Sequence, residues 1–131
     1  MQKVTAAILI KDNKILIAKR QPNDKQPHKW EFPGGKIENG ETPEECLKRE
    51  MHEEFGIEVR VGNYLCNSVY NYSHAEIELL AYFADWITGT MAPTAHAAIR
   101  WVTVQELSQF DFAPADVAIV ERLQEKLMGG I

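Results

Sequence analysis

No apolar run in the 131 residues approaches the roughly 20 that a membrane helix needs. The short apolar stretch near the start, MQKVTAAILIKDNK, ends at Lys11 and Asp12 with no small-residue cleavage pattern behind it, and reads as a first strand rather than a signal peptide. Cysteine is scarce: Cys46 and Cys66 lie twenty residues apart, with no CxxC and no histidine at ligand spacing. Two buried or half-buried thiols in a reducing cytoplasm account for them. Basic clusters are missing too, none being longer than Lys19-Arg20, and the formal net charge is −5. That argues against a nucleic-acid polymer as partner, because such affinity rests largely on neutralising phosphates with a basic surface. A small phosphate-bearing ligand stays open, provided something local, such as a metal ion, supplies positive charge. Internal repeats, low-complexity segments and linkers are absent as well.

What is present is an ordinary globular composition, 45% hydrophobic and 25% charged. A chain of this length fits one domain, residues 1–131, and buries roughly two-thirds of its unfolded surface. Residues 3–10 (KVTAAILI) and 14–18 (KILIA) predict a hairpin around the polar turn Lys11-Asp12-Asn13. Residues 21–29, with two prolines and no periodicity, predict a surface loop, and WEFPGGKIENG a short strand entering a Gly-rich turn. The clearest helix runs over 43–55. Thr42 is its N-cap, Pro43 its first position and Glu45 its capping-box glutamate, with Gly56 as the stop and Leu47, Met51 and Phe55 as the buried stripe. EVRVGNYLCNSVY and AEIELLAYFADWI predict two long strands around Asn71–His74. After a loop over 88–98 come a short strand IRWVT, a helical turn at Val104–Leu107 and a last helix from about Pro114 to Met128, apolar at Val117, Ile119, Val120, Leu123 and Leu127. The whole is an α/β domain with a mixed β-sheet and two main helices.

The stretch GETPEECLKREMHEEFGI, residues 40–57, carries six glutamates. Like charges at helical spacing cost a few tenths of a kcal/mol per pair, so this crowding needs a reason. Glu50 and Glu54 are four apart, and Glu50 and Glu53 three apart, which puts them on one face. Three converging carboxylates with one nearby cation, Arg49, suit a hard divalent ion such as Mg²⁺ or Mn²⁺; a solvated acidic face is the plainer alternative. Just upstream, Gly34-Gly35 offers a close backbone approach and a carbonyl ligand, and Lys36 an ammonium for phosphate.

Gly35, five residues, Glu41, seven residues and then REMHEEFGI, from Arg49 to Ile57, resembles the Nudix signature at every fixed position. Beyond that box, WEFPGGKIENGETPEE is similar to the MutT-like triphosphate pyrophosphohydrolases, and FAPAD to relatives acting on CTP, so the likeness spans nearly the whole chain. The resemblance implies a Nudix-type α/β/α sandwich and Mg²⁺-dependent hydrolysis of an NTP to an NMP and pyrophosphate. By position it implies Glu50, Glu53 and Glu54 as metal ligands joined by the Gly34 carbonyl, with Arg49 orienting the glutamates and Glu41 bracing the loop–helix junction. Arg20 and Lys36 match positions that contact the substrate's phosphates. Phe32 and Tyr72 match stacking positions for the base, although Phe32 also suits a plain core aromatic. Asp116 falls where guanine-specific relatives carry an asparagine, and equally near the start of the last helix, where it would be a cap. An ionised carboxylate only accepts hydrogen bonds, which suits a base edge rich in N–H donors: CTP-like pyrimidines and oxidised dGTP both qualify.

The sequence departs from the family pattern at TAHAAIRWV. Relatives commonly carry glutamate at the place of Ala95 and acidic residues near Ala97 and Ala98. Either these alanines are natural or glutamates were replaced. A helix glutamate or His96 would then be the general base; His28, His52 and His74 read as solvated. Three functions follow from the resemblance: a cytoplasmic (d)NTP pyrophosphohydrolase acting as monomer or homodimer on a small-molecule nucleotide, a hydrolase of ADP-ribose or a nucleotide sugar, and a nucleotide sensor without turnover.

Overall fold

The structure, a computed structural model, describes residues 1–128. Strands β1 (Gln2–Lys11) and β2 (Lys14–Lys19) form the expected hairpin, with Asp12 and Asn13 both at positive φ in the two-residue turn. A two-residue strand β3 (Trp30–Glu31) follows the proline loop, then helix α1 (Pro43–Phe55). The long antiparallel pair β4 (Ile57–Asn71) and β5 (Glu76–Gly89) comes next, then β6 (Ala98–Val102), a 3₁₀ turn (Gln105–Gln109) and helix α2 (Pro114–Met128). The sheet runs β3-β2-β1-β5-β4, with β6 pairing β2. β1 and β5 are parallel, from Gln2↔Ile77 to Leu9↔Ala84, and the other pairings are antiparallel, so the sheet is mixed.

Successive strand side chains point to opposite faces, so a strand apolar at every position must be covered on both. In β1, Ala6 and Ile8 enter one core while Ala7 and Leu9 enter another; in β2, Ile15 and Ile17 divide from Leu16 and Ala18 in the same way. The first core is closed by Ala115, Ile119, Val120 and Leu123 of α2, the second by Leu47, Met51 and Phe55 of α1. One helix on each face makes the α/β/α sandwich. Each fully buried Leu, Met or Phe of α1 contributes roughly 1.5–3 kcal/mol. The α2 stripe is narrower than expected: Val117 and Leu127 are each 44% exposed, because the face that meets the sheet is defined by 115, 119, 120 and 123, and neither residue falls on it. Among the described residues no helix is long and apolar enough to cross a membrane.

Helix α1 begins and ends as its sequence dictates. Thr42 Oγ1 accepts the Glu45 N–H (3.1 Å) and Glu45 Oε1 accepts the Thr42 N–H (2.8 Å), while Gly56, at φ 70°, closes the helix with its N–H on the His52 carbonyl. The following loop returns to the same end: Ala92 N–H donates to Phe55 C=O and Thr94 N–H to Glu54 C=O, both at 2.9 Å. These bonds satisfy the last carbonyls of the helix and fix residues 92–96 beside its carboxylates.

Candidate active site

The Gly-rich turn lies alongside β1. Ala7 N–H donates to Pro33 C=O (2.7 Å), Thr5 N–H to Gly35 C=O (2.8 Å), and Ile37 N–H to Lys3 C=O (3.0 Å). Extended backbone alternates its carbonyls, so the one between them, on Gly34, faces away from β1. Both glycines are required by close approach. A Cβ on Gly34 would strike the Thr5 carbonyl oxygen, and one on Gly35 would overlap the Glu50 carboxylate. Beneath the turn the buried Cys46 Sγ donates to the Gly35 and Lys36 carbonyls at 3.4 and 3.3 Å.

Arg49 organises the acidic face of α1. Its Nε donates to Glu41 Oε2 (2.6 Å), and its two terminal nitrogens reach Glu41 Oε1, Glu50 Oε2, Glu53 Oε1 and the Lys36 carbonyl between 2.9 and 3.1 Å. Glu41 also accepts the Glu38 N–H at 3.0 Å. The Arg49 hydrogen bonds, followed by that backbone bond, hold the Glu41 carboxyl down to about 2. Glu41 and Arg49 thus clamp the turn to the helix.

Glu50 and Glu54 then enter a cavity of about 650 Å³, within the size range of small-molecule sites. Gly34, Gly35, Arg20, Lys36, Phe32, Tyr72 and Asp116 line it too; Glu53 does not, being turned toward Arg49 with its side chain 55% exposed. Glu54 Oε2 is buried without a hydrogen-bond partner. Burial first, and the Glu50 charge second, push the Glu54 carboxyl up to about 7, against the opposing influence of His96.

Two wall residues carry more structure than their sequence context suggests. Glu31, in the middle of Trp-Glu-Phe, accepts Arg20 on Oε1 (2.8 Å) and pairs with His96 Nε2 through Oε2 (2.7 Å). The His96 ring, 6% exposed, also stacks on Phe55 at 5.5 Å. Arg20 is held on its other side by Asp24 at 2.6 Å. The sequence signal for Glu31 is a lone charge between two aromatics in a strand, which sequence reasoning passed over.

Asp116, also on the cavity wall, is buried and its Oδ1 accepts the Phe32 N–H across the fold (3.0 Å). Helix α2 starts at Pro114, so Asp116 lies inside its first turn and its carboxylate does not serve as the cap. Desolvation, reinforced by the Glu31 charge, raises its pKa well above the ordinary carboxylate range. Phe32 is a core aromatic stacked on Phe112 (5.3 Å) that also borders the cavity. Tyr72 Oη accepts the Ala115 N–H at 2.9 Å, which ties the β4–β5 tip to α2.

The donor set fits a hard divalent ion. An orphaned, buried Glu54 oxygen next to Glu50 and below a carbonyl turned from β1 is an arrangement that a cation would satisfy. Among the described residues, no three Asp, Glu, His or Cys groups converge closely enough to cage an ion alone. The set therefore suits an ion that completes its coordination with a carbonyl, water and substrate oxygens, as Mg²⁺ does.

The NUDIX domain family matches the chain over residues 1–123. The chain is 39% identical over 121 residues to the CTP pyrophosphohydrolase of Escherichia coli (strain K12), spanning 92% of this chain and 90% of that protein. It is 31% identical over 127 residues to the 8-oxo-dGTP diphosphatase of the same organism, spanning 95% and 98%. The solution structure of the E. coli ORF135 protein superposes with a TM-score of 0.88 at 37% identity, over 98% of this chain and 92% of that one. The MutT protein from Methanosarcina mazei Go1, at 20% identity and a TM-score of 0.85 over 97% and 95%, shares the fold.

Proposed function

The chain belongs to the Nudix family of hydrolases, and on that premise we propose that it hydrolyses a (d)NTP to (d)NMP and pyrophosphate with Mg²⁺, its base a CTP-like pyrimidine or an oxidised guanine. The observation that carries this is the composition of one cavity, lined together by Glu50, Glu54, Arg20 and Lys36, which suit metal and phosphate, and by Tyr72 and Asp116, which suit a base. The relatives named for CTP and for 8-oxo-dGTP support the two bases.

Glu50 and Glu54, with the Gly34 carbonyl and Glu53 as the third carboxylate, would hold the metal. When bound, Mg²⁺ supplies charge neutralisation of the triphosphate, polarisation of phosphorus and a lowered pKa for coordinated water. The chain's own residues do the rest. Arg49 fixes the rotamer of Glu50 through a 2.9 Å hydrogen bond and keeps α1 from losing its shape to carboxylate repulsion. Lys36 and Arg20 bind phosphate oxygens; Arg20 is pre-oriented by Asp24 and Glu31, so little side-chain freedom is lost on binding. Glu54, buried on the cavity wall beside Glu50, is the helix glutamate we assign to take the proton of the attacking water, on the carboxylate oxygen that the metal would leave free. Asp116 meets the base edge through Oδ2, its Oδ1 being taken by the Phe32 N–H; Oδ2 accepts N–H groups when ionised and donates while the carboxyl keeps its proton. The free thiols Cys46 and Cys66 suit a reducing compartment, and we place the enzyme in the cytoplasm.

The test is a panel of common and oxidised (d)NTPs with Mg²⁺, scored for pyrophosphate, beside an Ala95→Glu variant, because Ala95 lines the cavity. Release of pyrophosphate from one triphosphate, faster in the variant, supports the assignment and gives position 95 a part in turnover. Release from none, by either protein, removes it.

A further inference from the structure

His74 has no place in the signature, yet it stands on the cavity wall with Tyr72. The two rings are stacked, centroids 5.3 Å apart and planes within 18°. They sit on a hairpin tip that is held from three sides. Tyr72 N–H donates to Ala75 C=O (2.9 Å) and Ala75 N–H returns to Tyr72 C=O (3.3 Å), which closes a loop with only Ser73 and His74 at its tip. Behind the pair, Tyr70 packs on Tyr72 at 4.7 Å. In front, Tyr72 Oη takes the Ala115 N–H, one residue from Asp116. The apolar residues beside this wall are Val4, Ile77 and Leu79. Glu50 and Glu54, the carboxylates assigned to metal, line the same cavity.

We propose that His74 is a specificity-determining residue whose imidazole, held against Tyr72, stacks on the nucleobase while Asp116 reads its edge. This deepens the triphosphate reading above and rests on it. A flat, weakly polar ring at this spot discriminates in favour of an aromatic base and against the bare phosphate chain. Base–aromatic stacking tolerates every base, so the wall sets affinity for nucleotides as a class and leaves discrimination among bases to Asp116. The imidazole also caps one face of the Tyr72 ring, which leaves the outer face of His74 as the surface a base meets.

The experiment compares the unmodified chain, His74→Ala and His74→Phe in three measurements: steady-state kinetics on the preferred triphosphate, competitive inhibition by inorganic tripolyphosphate, and calorimetric affinity for CMP and for 8-oxo-dGMP. For His74→Ala, KM rises about tenfold, a typical loss for one stacking partner, and the larger share of the effect falls on KM rather than kcat. Monophosphate affinity falls by a similar factor, inhibition by tripolyphosphate keeps its strength, and His74→Phe restores both nucleotide readouts. The inference is overturned if His74→Ala leaves monophosphate affinity and KM in place, if tripolyphosphate weakens in parallel, or if Phe fails to rescue. Absence of turnover by the unmodified chain sinks the pyrophosphohydrolase reading alone, since monophosphate affinity still decides on His74.

Discussion

Gly34 and Gly35 are neighbours, yet replacing each with alanine should damage different properties. A methyl on Gly34 meets backbone, the Thr5 carbonyl, which cannot swing aside. The turn must therefore lift from β1, and the two hydrogen bonds that flank the collision, Thr5 N–H to Gly35 and Ala7 N–H to Pro33, are strained or lost. Thr5 and Ala7 are buried, so each amide left unpaired costs about 1–3 kcal/mol, and the pair roughly 2–4 kcal/mol if one is rescued in part. For a chain of this size that lowers Tm by roughly 8–16 °C. A methyl on Gly35 instead meets the end of a flexible side chain, Glu50. The carboxylate swings away and gives up its partly exposed pairing with Arg49, about 1 kcal/mol or less. Stability is nearly kept, but one proposed metal ligand is displaced. Gly35→Ala should thus fold and melt within about 4 °C of the parent while losing Mg²⁺ affinity and turnover by about 100-fold. Calorimetric melting and Mg²⁺ titration on both variants check this. Equal Tm losses, or a Gly35→Ala protein that binds Mg²⁺ normally, would refute the geometric reasoning.

Thr42→Ala breaks the capping box, which does not line the cavity, and should cost about 1 kcal/mol, seen as a Tm lower by roughly 4 °C with turnover retained. Glu54→Gln should bind Mg²⁺ poorly and release pyrophosphate at less than about 1% of the parent rate; a variant with normal metal affinity would remove Glu54 from the site. Asp116 has a folded pKa above its unfolded one, so it binds its proton more tightly when folded: its contribution is most favourable below the ordinary carboxylate range and declines as pH rises through the folded pKa. Asp116→Asn keeps an oxygen for the Phe32 N–H and loses the charge, so its Tm advantage over the parent should grow from pH 4 upward. A constant difference across pH would show that Asp116 is not the group responsible.

The long elements were legible because periodicity and end signals agree. Helix α1 carries Thr42, Pro43, Glu45 and Gly56 in their expected places, and the middles of β1 and β2, Ala6–Leu9 and Ile15–Ala18, are apolar on both sides because both sheet faces are covered. The edges of the α2 stripe were not legible: Val117 and Leu127 are apolar in identity but lie off the face that meets the sheet. Within the site, Arg49, Glu50 and Glu54 lie on one helix whose geometry brings them together, and Glu41 joins them from the turn just before its N-cap. Glu31 and His96, 65 positions apart, meet only because β3 and β6 both pair with β2. His74 reaches the cavity through a hairpin tip fastened to α2, a contact no local pattern encodes.

The parallel pairing of β1 with β5 has a consequence during synthesis. Leu9 pairs with Ala84, so 75 residues must be made after Leu9 before its lasting neighbour exists. At ribosomal rates of roughly 5–20 residues per second, that interval is about 4–15 s. Through it, a strand apolar on both sides is held along one edge alone, by the short hairpin register with β2, Ile10↔Ile15 and Lys11↔Lys14, and by the Gly-rich turn at Lys3, Thr5 and Ala7. The nascent chain therefore exposes its most aggregation-prone segment first and shields it late. Yield in the cell should then depend on chaperones that cover AAILI more than on the stability of the finished domain.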